Sequence, residues 1–251
     1  MLTCDMHSDT LIECWLHGTS LRENPYCIDA NKLKQGEALL QCFAAFLPTY
    51  ETALEYGITD DAYTVYKKMA AYMRAELDKN RDVLTEVRSV KDLETARETG
   101  RPGAMFTVED MGAMLEGSRE RLEEAYKDGV RMMSVTWNYE NCLAYPNSTD
   151  PGIMGKGLKP FGFEILEYAQ SLGMAVDVSH LSDGGFLDIA SHAKKPFAAS
   201  HSSCRALCPH PRNLTDEMLR ILSDKGGVAG VNYFGEFLRA DGPKTNFKRL
   251  K

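Results

Sequence analysis

Three short segments, far apart in the chain, end in side chains that bind divalent metals. They are Asp5-Met6-His7-Ser8-Asp9, Val178-Ser179-His180 and Ala199-Ser200-His201-Ser202-Ser203. Each follows or ends an apolar stretch that reads as a strand. Positions two apart on an extended chain share a face, so His7 and Asp9 can meet one ion. An imidazole nitrogen and a carboxylate oxygen suit zinc. Glu109 ends the apolar run 104–108. A carboxylate there is costly unless it is paired or bound to a cation, and its two oxygens can bridge two metals. The competing reading is that Glu109-Asp110 caps a short helix. His180 and His201 share a Ser-His ending in successive units, and Asp177 stands where it could orient an imidazole from behind. The set assigns His7, Asp9 and Glu109 to one ion, and Glu109, His180 and His201 to another. A water between two such cations is acidified and attacks at neutral pH, while a metal polarises a carbonyl. The chemistry is metal-assisted hydrolysis. Arg212, with Asn213, follows in the loop after His201, where a planar guanidinium can hold a substrate carboxylate. His17, His192 and His210 read as surface or structural residues.

The elements that must carry these residues alternate. Strands are expected over 2–8, 39–46, 103–109, 130–137, 174–180, 196–202 and 228–233. Helices are expected over 60–79, 90–98, 118–127, 160–172, 184–192 and 215–225. Residues 62–73 carry apolar groups at helical spacing. Gly100, Gly129, Gly173 and Gly226-Gly227 stop helices. Thr215-Asp216-Glu217 places a cap and two acids at a helix start. Strand, polar loop, helix, glycine, strand is the rhythm of a parallel sheet flanked by helices. Chemistry gathered at strand ends from distant segments is how a β/α barrel builds its site. The expected architecture is a (β/α)8-type (TIM) barrel of the metal-dependent hydrolase kind, lacking its last βα unit. The chain reads as one domain over 1–251, with 234–251 as a polar tail.

A length of 251 residues fits such a domain, and 43% hydrophobic residues suffice for a core. A formal net charge of -7 argues against general nucleic-acid binding. Seven cysteines without CxxC spacing read as reduced thiols in a cytoplasmic protein. The start carries no pattern of a signal peptide, and no apolar run reaches the roughly 20 residues of a membrane span.

The chain resembles the membrane-dipeptidase (renal dipeptidase-like) metallopeptidases. The resemblance rests on residues 5–10, 106–109, 129–131 leading to Thr136-Trp137-Asn138, 157–162, 176–183, 199–203 and 212–216. It implies two zinc ions, with His7 and Asp9 on one, His180 and His201 on the other, and Glu109 bridging them. It implies that Arg212 contacts the C-terminal carboxylate of a dipeptide substrate, and that homodimers form. Two departures stand out. Trp137 occupies the place where some members carry a histidine that stabilises the tetrahedral intermediate. Asn138 or Tyr139 is left to contact the substrate there. The family's aspartate at the end of the last barrel strand has no counterpart, because Asp241 does not match the motif. Rival readings are a truncated barrel that binds metal without turnover, and an amidohydrolase acting on a non-peptide amide or lactam.

Overall fold

The computed structural model of the chain describes residues 2–239. The chain divides into two compact units, Met1–Met133 and Ser134–Lys251. The first holds β1 (Thr3–Asp5), α1 (Thr10–His17), α2 (Ala30–Gln35), β2 (Ala38–Phe46), α3 (Tyr50–Glu55), α4 (Ala62–Lys79), β3 (Thr85–Glu86), α5 (Val90–Thr99), β4 (Gly103–Glu109), α6 (Met111–Leu115) and α7 (Arg119–Asp128), with β5 (Val130–Ser134) at its boundary. Strands β1, β2, β4 and β5 lie side by side in parallel. Strand β3 pairs with the start of β4. Residues 40–46 are all buried. A parallel strand covered on both faces has no polar side, which is why this run does not alternate. Helix α4 buries Val65, Tyr66, Met69, Ala70 and Met73. Asp61 caps it by accepting from the Thr64 N–H at 2.8 Å. Tyr66 stacks on Phe106 with ring centroids 6.3 Å apart, which docks α4 on β4.

The second unit holds α8 (Pro151–Met154), α9 (Pro160–Leu172), β6 (Ala175–Asp177), α10 (Asp183–His192), β7 (Ala198–Ala199), α11 (Asp216–Asp224), β8 (Val228–Ala229) and α12 (Gly235–Leu238). Strands β6, β7 and β8 are parallel neighbours, in register through Asp177↔Ala198 and Ala198↔Val228. Phe186 of α10 meets Phe197, just before β7, edge to face at 5.7 Å. Helix α9 ends at Gly173, whose φ of 88° is the left-handed conformation that glycine adopts without penalty.

Setting β3 aside, the main strands are the seven expected, and the long helices fall within two or three residues of their expected bounds. Strands β2 and β4 fill their apolar runs, whereas β1, β5, β6, β7 and β8 are shorter than theirs. The run 196–202, for instance, contains a two-residue β7, although past it the Ser202 N–H still donates to the Gly230 carbonyl at 2.8 Å. The short elements β3, α1, α2, α3 and α8 go unannounced in the sequence, whereas α6 is the short helix that the capping reading of Glu109-Asp110 implies. The expected polar tail opens with α12, and Asn213 Nδ2 donates to the Phe237 carbonyl at 2.8 Å. The rest of that tail, 240–251 with Asp241, lies outside the described residues. Among the described residues no helix is long and apolar enough to cross a membrane.

Candidate metal-binding sites

In the first unit, β1 and β4 flank β2. The β1–β2 pairing runs on past the strand, with the Ala44 N–H donating to the Ser8 carbonyl at 3.0 Å. Glu109 is in register with Phe46 on the other side. The motif 7–9 and Glu109 therefore end at the same edge of the sheet. His7 reaches across, its Nε2 3.2 Å from Asp9 Oδ1 and 3.5 Å from Glu109 Oε2. Glu109 is 2% exposed. Asp9 occupies the N-cap position of α1, yet its side chain makes no capping hydrogen bond. The capping alternative for Glu109 fails as well, because Asp110 accepts from the Ala113 N–H at 3.2 Å and takes that role. Burial pushes the His7 imidazole down, but the Glu109 and Asp9 carboxylates outweigh burial and hold it well above its ordinary value. That is the electrostatic signature of a pocket built for positive charge.

In the second unit, β6 and β7 carry the two other histidines. His180 follows β6 in a turn, with φ at 68°. A non-glycine residue pays about 1–2 kcal/mol for this conformation. Asn147 holds the turn by donating to the His180 carbonyl from its backbone N–H at 2.7 Å and from Nδ2 at 3.0 Å. His180 Nδ1–H donates to Asn138 Oδ1 at 2.9 Å. His201 follows β7, and its Nδ1–H donates to Ser200 Oγ at 2.6 Å. Ser200 Oγ in turn donates to Asp177 Oδ2. Asp177 Oδ1 accepts from the Ser179 and Ser200 N–H groups at 2.9 and 2.8 Å. Asp177 therefore orients His201 through Ser200 rather than by touching it. With both Nδ1 atoms donating, both Nε2 atoms present lone pairs, and they converge at 3.0 Å.

This donor set fits a metal such as zinc. Neutral imidazoles are zinc ligands, and His180 and His201 would hold such an ion through Nε2. The mixed imidazole and carboxylate set in the first unit suits the same ion.

Arg212 is 4% exposed, so it is no surface residue. Its Nη1 donates to Ser202 Oγ at 3.0 Å, and its backbone N–H donates to His210 Nδ1 at 3.1 Å. Asn213 fixes the loop through Ser203, Cys208 and Phe237. Trp137 lies beside His180 and Tyr139, with ring centroids 6.2 and 5.8 Å away. His17 and His192 are exposed; His17 pairs with Glu13, and His192 rests on Phe163. Reading the sequence missed Ser200 as a relay and Asn147 as a support. The Ser-His doublet was the available signal for the first. Nothing in the polar loop marks the second.

Comparison with known proteins agrees with this chemistry. The family model described as membrane dipeptidase (peptidase family M19) matches residues 1–248. A Klebsiella pneumoniae protein, described as uncharacterized and in the pqqA 5' region, is 39% identical over 164 residues, 63% of this chain and 59% of its own length. An uncharacterized dipeptidase of Schizosaccharomyces pombe is 31% identical over 219 residues, 85% of this chain and 52% of its own. The chain thus matches between half and three-fifths of the length of these two relatives. A metallo peptidase from Rhodobacter sphaeroides, solved with a phosphinate mimic of the dipeptide L-Ala-D-Ala, superposes with a TM-score of 0.85 at 21% identity, over 98% of this chain and 77% of that one. This likeness shows the fold, the (β/α)8-type barrel architecture expected of the sequence. With a family model running through both units, the chain belongs to the membrane dipeptidase family, peptidase family M19.

Proposed function

We propose that this chain carries the metal centre of a dipeptidase that uses two zinc ions. The observation behind the reading is the convergence of donors in each unit, His7–Asp9–Glu109 and His180–His201, within a chain of a dipeptidase family. In this reading His7 and Asp9 would hold one ion and His180 and His201 the other, with Glu109 the further carboxylate ligand. When bound there, zinc would supply the acidified water and the polarisation of the scissile carbonyl. The side chains do the remainder. Glu109 sets the place from which the water attacks. Arg212, anchored on Ser202, receives the free carboxylate of the dipeptide through paired N–H···O bonds. Asn138 keeps Oδ1 on His180 and donates from Nδ2 to the substrate. The phosphinate dipeptide mimic on the Rhodobacter sphaeroides protein supports a dipeptide as the substrate class. A homodimer belongs to the same proposal, and light scattering measures it.

The test is hydrolysis of a panel of dipeptides by the purified chain, with chelator and after zinc is restored. Turnover that chelator abolishes and zinc restores is expected. Turnover indifferent to chelator, or none after zinc is restored, would overturn the reading.

A further inference from the structure

We infer that Asn138 and Asn147 form a two-point clamp that aims His180, making both of them positioning residues for one of the two metal ions. The inference rests on the metal-site reading proposed above. His180 is unusual among the candidate ligands in its backbone, a non-glycine residue at φ 68°. Such a conformation persists only where the surroundings over-determine it. Both lone pairs of its carbonyl are engaged by one residue, through the Asn147 N–H at 2.7 Å and Nδ2 at 3.0 Å. The chain just after His180 is stitched to the same segment. Pro146 bridges Leu181, and the Ser182 N–H donates to the Tyr145 carbonyl at 3.1 Å.

The second point of the clamp is on the ring. Asn138 Oδ1 accepts the Nδ1 proton at 2.9 Å, which commits Nε2 to be the acceptor atom. An amide at this distance does for His180 what Ser200 and Asp177 do for His201, without bringing a charge. The loop that carries both asparagines is braced internally. Asn141 Oδ1 accepts from the Leu143 and Ala144 N–H groups at 2.8 and 3.1 Å, and its Nδ2 donates to the Val135 carbonyl at 2.8 Å. Partners of this kind behind a metal ligand commonly govern affinity by 10–100-fold.

A loop that merely packs would affect folding stability and both ions alike. A clamp affects one ion. The metal-free chain is titrated with Co2+ alone, followed by visible absorption and by metal analysis after dialysis. His201→Ala identifies the ion that the second unit holds. Asn138→Leu, similar in shape but without an acceptor, should weaken that ion by about 10–100-fold. The other ion, and the urea midpoint of the metal-free chain, should stay as in the parent. Asn138→Asp, which keeps an acceptor on Nδ1, should restore binding. Asn147→Ala, which removes one of two donors, should weaken the same ion by less. Unchanged Co2+ affinity in Asn138→Leu, equal weakening of both ions, or failure of Asn138→Asp to restore binding would each overturn the clamp. A parent chain that takes up no Co2+ overturns the metal reading itself, and the clamp with it.

Discussion

His201 and Arg212 depend on neighbours that a sequence motif does not contain. Ser200 stands between Asp177 and His201. Ser200→Ala removes the acceptor on the ring and a donor to a buried carboxylate. Zinc affinity should fall by about 10–100-fold, and urea unfolding should show about 1–3 kcal/mol of lost stability. Arg212→Ala should raise KM for dipeptides by about 10–100-fold, the worth of a charged hydrogen bond, with a smaller change in kcat. Steady-state kinetics check this, and an unchanged KM would favour a substrate without a carboxylate, such as a lactam. His210 supports the same loop by accepting from the Arg212 N–H at 3.1 Å. Burial pushes its imidazole below the ordinary value, so the neutral form is favoured in the folded state. The unfolded chain then takes up a proton first as pH falls. Stability from His210 is present above the ordinary histidine pKa of about 6.5 and is lost as pH drops through that value towards the depressed one. His210→Asn keeps an acceptor but does not titrate. Urea midpoints at high and low pH should show a steeper loss on acidification in the parent than in the variant.

At the scale of elements, close approach decides where the histidines point. Helix α10 begins just after His180, capped by Ser182, which accepts from the Gly185 N–H at 3.1 Å. Its start presses on the segment 155–158. A Cβ on Gly184 would stand 2.5 Å from the Gly155 carbonyl oxygen and 2.6 Å from that of Lys156. Gly184→Ala should cost about 1–3 kcal/mol by overpacking, read as a lower urea midpoint with an unchanged slope. Periodicity and stop signals made the long elements legible: α4, α9 and β4 lie where apolar spacing, Gly173 and the run before Glu109 place them. Most short elements were not legible, because one or two turns of helix carry too few apolar positions to show a period. Strand ends were overextended for a related reason. Apolar residues at 196–202 serve the core whether or not a ladder bond accompanies them.

For the whole molecule, donors are divided between two units, three in the first and two in the second. Metal analysis of the purified chain should give two zinc ions. His7→Ala with Asp9→Ala should remove one, and His201→Ala the other. Chelator should lower the melting temperature, since an ion bound only to the folded state adds about 2.7 kcal/mol at a hundredfold excess over its Kd. An identical melting curve with and without chelator would argue that the donors hold nothing.

Residue types and spacing alone determined the kind of chemistry. Imidazoles and carboxylates at strand ends, in an alternating chain, are the residue types that point to metal-assisted hydrolysis. Tertiary structure decided which atoms of those residues are available. The tautomers of His180 and His201, the left-handed turn at His180 and the burial of Arg212 all depend on partners that share no local pattern with them. Asn138, Asn147, Asp177 and Ser202 are ordinary polar residues until folding sets each within hydrogen-bonding distance of its target. A sequence encodes such partners only through the packing that brings them together.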